Sequence, residues 1–193
     1  MSTGAFPTVA NRAKQKLGPV ETTALERLIL MRHGEAERPA PGLRDVDRAL
    51  DADGRTESRA VAAALAQAGI IPDLALVSGA RRTLETWRAA AESFPAAVME
   101  EDASLYAATV TRLGAAVAAA SSRAETLMLV GHNPAIHQYA VHLCRQGGGD
   151  KASVSRLLDR FATGTAAVFS VGEGPPELER LFLAKDYRTR AGP

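Results

Sequence analysis

Two of the four histidines stand directly behind short apolar runs. His33 follows Leu28-Ile29-Leu30-Met31-Arg32, and His132 follows Thr126-Leu127-Met128-Leu129-Val130-Gly131. A third apolar run, Leu74-Ala75-Leu76-Val77, leads through Ser78-Gly79-Ala80 to Arg81 and Arg82. Continuous apolar runs of this length read as buried strands. If the three strands are neighbours, two imidazoles and at least two guanidiniums converge where they end. No carboxylate cluster balances the arginines in these segments, so the pocket is expected to be electropositive. A phosphoryl group, dianionic and matched to the guanidinium fork, suits it best. An imidazole among arginines has its protonated form disfavoured, stays neutral near pH 7 and can attack phosphorus. Gly34, next to His33, is expected to let the backbone approach the phosphate. Positioning and charge stabilisation carry most of the barrier lowering in phosphoryl transfer, so arginines and a second histidine can do the work without a metal. Each feature alone has a plain structural explanation. A histidine after a strand is usually structural, an arginine pair can be a solvated helix start, and Asn133-Pro134 is explained by capping. Their joint placement at three strand ends points to chemistry.

The elements that must position these residues follow from periodicity and punctuation. Between Asp53-Gly54 and Gly69, Val61, Ala64, Leu65 and Ala68 recur at helical spacing, with Gly69 as the stop and Pro72 beyond it. Helices are also expected over Arg81 to Phe94, closed by Pro95, and over Thr109 to Ser121. Asn133 reads as the N-cap of a helix that has Pro134 in its first turn and ends before Gly147-Gly148-Gly149. A short helix near Ser153 to Phe161 follows, and a short strand is expected around Val98. Ala166 to Val171 and Leu178 to Leu183, parted by a Gly/Pro turn, predict a hairpin. Strands alternating with helices predict an α/β fold, a three-layer α/β/α sandwich around a mostly parallel sheet. Ligands of such sheets bind outside the carboxyl ends of the strands, where His33, Arg82 and His132 fall.

Composition narrows the field further. At 193 residues, the chain suits one domain with a sizeable core, and 46% hydrophobic with 23% charged residues is ordinary for a globular protein. No run of about 18 apolar residues occurs, so no membrane-spanning helix is expected. A net charge of +1 gives no reason to expect a nucleic-acid partner. Arginine supplies 19 of the 23 basic residues; most read as compositional bias, and only those at strand ends read as functional. The single cysteine, Cys144, excludes an internal disulfide framework and a multi-cysteine zinc site, and reads as a packed thiol. It permits an intracellular, cytoplasmic location. His137 and His142 lie about 140° apart around a helix and share no metal-ligand face. Gly147-Gly148-Gly149 lacks the Lys-Ser/Thr of a P-loop, and Ser78 lies outside a G-x-S-x-G elbow. Trp87 and Tyr106 read as packing residues. Residues 1–26 lack both a clear period and the apolar core of a signal peptide, and are expected to be a flexible or loosely docked extension.

These motifs resemble those of the histidine phosphatase superfamily, also called the phosphoglycerate mutase-like superfamily. Leu28 to Ala36, with Arg32-His33-Gly34, is similar to its first motif. Ser78 to Thr86 is similar to the second, in which the spacing selects Arg82 and not Arg81. Val130-Gly131-His132-Asn133-Pro134 is similar to the third. The short chain and the spacing of Asp45, Arg48, Leu50 and Gly54 resemble the small SixA-type phosphohistidine phosphatases. The resemblance covers Arg27 to the C-terminus, which makes 27–193 the catalytic domain. It implies a phosphoglycerate mutase-like fold and a covalent phosphohistidine intermediate on His33. Arg32, Arg82 and His132 would hold the phosphoryl oxygens, Arg48 would add to the pocket, and neither metal nor cofactor is implied. Gly79 departs from the proline that many branches carry there. No acid can be aligned in Glu100-Glu101-Asp102-Ala103-Ser104-Leu105-Tyr106 to protonate an ester leaving group, and Glu35 reads as structural. That favours a phosphohistidine on a signalling or phosphotransfer protein, because imidazole leaves more readily than an alkoxide. A phosphomonoesterase acting on a small metabolite and a catalytically weak phosphoprotein-binding module are the alternatives.

Overall fold

The computed structural model describes residues 24–187. One sheet contains β1 (Arg27–Arg32), β2 (Leu74–Ser78), β3 (Val98–Asp102), β4 (Thr126–Gly131), β5 (Ala166–Ser170) and β6 (Glu177–Phe182). Their order across the sheet is β3-β2-β4-β1-β5-β6. The β3–β2, β2–β4 and β4–β1 pairs are parallel, while β5 runs antiparallel to β1 and β6. The sheet is thus mostly parallel, and β5–β6 is the expected hairpin. β2, β4 and β1 are adjacent, which meets the condition for the three strand ends to converge.

Five helices cover the sheet: α1 (Ala52–Gln67), α2 (Arg81–Ala91), α3 (Val110–Ala120), α4 (Ala135–Gly147) and α5 (Lys151–Asp159). Successive strand residues point to opposite faces. Ile29 and Met31 therefore join a core with Val61, Leu65, Trp87 and Phe94 from the α1–α2 side. Leu28 and Leu30 join a second core with Leu113, Val117, Ile136 and Leu143 from the α3–α4 side, where Cys144 is also buried. These two cores make the three layers.

Side-chain caps set the helix starts slightly away from their expected positions. Asp51 accepts from the Gly54 N–H at 2.7 Å and starts α1 ahead of Asp53. Asp150 accepts from the Ala152 and Ser153 N–H groups and starts α5 two residues before Ser153. Asn133 does not cap α4. Its side-chain N–H donates to the Phe161 carbonyl at 2.9 Å, and Pro134 holds the cap position without a side-chain bond. At the start of the described chain, Leu25 packs against the α3–α4 core and the Glu26 N–H donates to the Glu125 carbonyl. Residues 1–23 of the expected N-terminal extension lie outside the described residues. Among those residues no helix is long and apolar enough to cross a membrane.

Candidate active site

Arg32 on β1 is in register with Gly131 on β4, so the next residues, His33 and His132, emerge side by side. Their ring centroids are 5.2 Å apart. His33 Nδ1 lies 2.7 Å from the Gly34 carbonyl oxygen. A carbonyl only accepts, so Nδ1 carries the proton and Nε2 the free lone pair. The Arg82 Nε–H donates to that Nε2 at 3.3 Å. Burial pushes the His33 pKa down to about 4, and the cations Arg82, Arg32 and Arg48 act in the same direction against the Gly34 hydrogen bond. The ring is therefore neutral at pH 7, as a nucleophile at phosphorus must be. His132 Nε2 shares a 2.8 Å hydrogen bond with Ser78 Oγ at the end of β2. Burial, then His33 and Arg82, push the His132 pKa down to about 3.

The arginines divide as the motif spacing requires. Arg81 turns outward to Glu85 at 2.8 Å, while Arg82 is buried in the first turn of α2. Arg82 Nη1 donates to the Asp45 carbonyl at 2.7 Å and Nη2 to its carboxylate at 3.1 Å. Arg32 Nη1 donates to the Phe161 carbonyl at 3.0 Å, and its buried Nε has no protein partner among the described residues. Arg48 donates to the Glu37 carbonyl at 2.8 Å and to the Asp45 carboxylate at 2.9 Å.

Asp45 corrects the expectation that no carboxylate balances these cations. Besides Arg82 and Arg48, it accepts the Tyr106 hydroxyl at 2.7 Å. The Tyr106 hydrogen bond, then Arg48, with Arg82 adding charge, hold its carboxyl well below the usual range, so it stays ionised. Tyr106 is likewise more than a packing residue. It sits edge-on to His132 at 5.5 Å, with the Arg82 guanidinium carbon 5.7 Å from its ring centre. Extending the strand-end rule to β3 would have found Tyr106. The sequence signal for Asp45 is its place in the Asp45, Arg48, Leu50 and Gly54 spacing, which carries no sign of its contacts with Arg82 and Tyr106. Trp87, by contrast, packs in the core against Phe94.

Gly34 also departs from expectation. Its N–H donates to Thr86 Oγ1 at 3.0 Å. A Cβ there would meet the Gly54 carbonyl and Ser58 Oγ, each at 2.6 Å. The glycine thus lets α1 pack against the loop, and its N–H is taken up by α2. Of the candidate acids on β3, Glu100 and Asp102 are taken up by other partners, and Glu101 lies against Gly79. Glu100 pairs with Arg123, Asp102 accepts from the Ser104 N–H and contacts Arg112, and a Glu101 oxygen lies 2.8 Å from where a Gly79 Cβ would stand. Glu35 accepts from Thr163 Oγ1 at 2.8 Å. His137 and His142 take separate partners, the Leu157 carbonyl and Gln146. Among the described residues, no group of three or more His, Cys, Asp or Glu is arranged to hold a metal ion.

A cavity of about 390 Å³ opens beside these groups, lined by Asp45, Arg82, Tyr106, His132 and the start of α4. Neutral imidazoles, a buried guanidinium and the positive end of a helix define a centre for phosphoryl chemistry. The sequence matches the histidine phosphatase superfamily (branch 1) over residues 28–106. An uncharacterized chloroplastic protein of Arabidopsis thaliana is 30% identical over 192 residues, covering 93% of this chain and 88% of that one. A solved structure designated phosphohistidine phosphatase SixA, from Agrobacterium tumefaciens, is 28% identical with a TM-score of 0.74, over 82% of this chain and 98% of that one. A protein of the same designation from Nakamurella multipartitia is 29% identical with a TM-score of 0.70, over 82% and 95% of the two chains. The chain belongs to the histidine phosphatase superfamily, is a phosphatase, and within the superfamily is of the SixA type.

Proposed function

We propose that the protein removes the phosphoryl group from a histidine of a signalling or phosphotransfer protein through a phosphohistidine formed on His33. The Nε2 lone pair of His33 attacks phosphorus, and the imidazole of the substrate departs. Water then attacks the phosphorus on His33, releasing phosphate and restoring the neutral ring. Arg32, Arg82 and His132 hold the phosphoryl oxygens, and Arg48 contributes through Asp45. The arginines supply the positive charge, so the chemistry calls for no metal or cofactor. No nucleic-acid or membrane partner enters it. A cytoplasmic location belongs to the same proposal, and subcellular fractionation tests it.

The observation that carries the choice of substrate is Asp45. It is the carboxylate hydrogen-bonded to Arg82, and its partners keep it ionised. An ionised carboxylate has no proton for an alkoxide, whereas imidazole leaves a phosphoramidate without one from a fixed acid. The test is kcat/KM on a phosphohistidine protein and on a panel of small phosphate esters, with His33→Ala as the blank. The expected result is a clear preference for the phosphohistidine protein that the substitution abolishes. Faster turnover of an ester would make the protein a small-molecule phosphomonoesterase. Inactivity on every substrate would favour a module that binds phosphoprotein without turnover.

A further inference from the structure

A fixed negative charge beside a site for a dianion needs an explanation, because like charges repel. Asp45 is held in place by Arg48 on one oxygen, and by Arg82 and Tyr106 on the other. A carboxylate offers about four acceptor positions, so these three donors leave capacity for another. The Asp45 side chain is 52% exposed, and it lines the 390 Å³ cavity together with Arg82, Tyr106 and His132. It is therefore an ionised, immobilised acceptor open to whatever enters that cavity.

In phosphoryl transfer the attacking and leaving atoms lie roughly in line across phosphorus. With His33 Nε2 on one side, the leaving group belongs on the other; Asp45 stands one guanidinium away from that nitrogen, since Arg82 donates to both, and it borders the cavity open to a leaving group. A phosphorylated imidazole has a second ring nitrogen. With a proton there the ring is cationic and departs as neutral imidazole; without it the ring must depart as an anion. Resting on the phosphohistidine reading above, we propose that Asp45 is the specificity-determining residue for the leaving group. Its carboxylate accepts a hydrogen bond from the distal ring N–H of the phosphorylated imidazole and keeps that ring cationic.

The step balances without an acid from the protein. The His33 Nε2 lone pair forms the new N–P bond as the P–N bond of the substrate breaks. The electron pair of the broken bond stays on the departing nitrogen, the distal nitrogen keeps its proton, and neutral imidazole leaves. An alkyl phosphate brings no such donor and meets the carboxylate only as repulsion, so one group selects for imidazole and against esters. The charged and titratable groups facing Asp45 are Arg48 from its own loop, Arg82 from α2, Tyr106 after β3 and His132 after β4.

The test compares the wild type with Asp45→Asn on phosphoimidazole and on 4-nitrophenyl phosphate across a pH series. Nitrophenolate departs as a stable anion and needs no proton. The substitution is expected to lower kcat/KM on phosphoimidazole by about 10- to 100-fold, the range for a lost hydrogen bond to a charged group. That loss should exceed the loss on 4-nitrophenyl phosphate by about tenfold. The alkaline limb of the phosphoimidazole profile should also move to lower pH, because the ring proton is held less firmly. Equal losses on both substrates with an unmoved limb would make Asp45 a mere support for Arg48 and Arg82, and would overturn the proposal. A measurement on the wild type is independent of how the variant folds. An N-methyl phosphoimidazolium, cationic but lacking the distal N–H, should be slower than phosphoimidazole after correction for their rates in solution. Equal corrected rates would overturn the proposal. A wild-type enzyme inactive on both phosphoimidazole and a phosphohistidine protein would instead overturn the phosphohistidine reading beneath it.

Discussion

His33 and Arg82 are set before any substrate arrives. The Gly34 carbonyl holds the His33 proton on Nδ1, and Arg82 aims its Nε–H at the lone pair on Nε2. The other two nitrogens of the same guanidinium are fixed by the Asp45 carbonyl and carboxylate. This use of all three nitrogens needs a planar fork, which an ammonium cannot supply. Arg82→Lys is therefore expected to lower kcat/KM on any phosphate substrate by about 100-fold, as removal of a preorganised donor does. Steady-state kinetics beside Arg82→Ala check this. A lysine variant near wild-type activity would show that charge alone suffices. At this scale the motif residues were legible in the sequence, because His33, Arg82 and His132 each follow a recognisable strand. The tautomer of His33 was not, since it depends on where the Gly34 carbonyl points.

The loop after β1 is held by the two helices that flank it. Thr86 Oγ1 on α2 accepts the Gly34 N–H and donates to the Arg82 carbonyl at 2.7 Å, which links the His33 loop to the turn that carries the arginine. On its other side, the start of α1 presses so closely that neither Gly34 nor Gly54 has room for a Cβ, which would meet Gly54 and Ser58 or Glu35 respectively. Gly34→Ala is expected to push α1 from the loop at a cost of about 1–3 kcal/mol, the usual range for overpacking. The melting temperature and the activity should fall together. A variant that melts like the wild type but is inactive would show that the glycine serves the substrate and not the packing. The elements themselves were readable from their periods, and their ends were less so. Asn133 has the sequence of a cap, yet the Phe161 carbonyl, 28 residues away, takes its side chain. Local spacing carries no trace of such a partner.

For the molecule as a whole, a site built from neutral histidines ties stability to pH. In the folded chain the His33 pKa lies at about 4 and that of His132 at about 3, against an ordinary value of 6.5. Below pH 6.5 the unfolded chain binds protons that the folded chain refuses. The contribution of these groups is thus complete above 6.5 and is lost as the pH falls toward 4, where His33 begins to protonate in place. For His33 alone the loss is about 3 kcal/mol. Asp45 adds a loss only below its ordinary value of 3.8, outside this window. Denaturant unfolding between pH 6.5 and 4 should show the decline, and His33→Gln should make it shallower. An unchanged slope would mean that His33 is not held neutral by the fold.

The apolar runs at Leu28, Leu74 and Thr126, with the residues behind them, already imply two imidazoles and an arginine at one sheet edge. Parallel strands in register bring equivalent positions together, so the order of residue types along the chain is enough for that inference. The groups that balance them are another matter. Asp45 lies in the irregular stretch between β1 and α1, and Tyr106 follows β3, an edge strand with much of its surface exposed. Asp45 meets Arg82 across 37 residues of chain and Tyr106 across 61. Those meetings depend on how loops from three parts of the chain fold over the sheet edge, and only packing and hydrogen bonding across the assembled fold decide that.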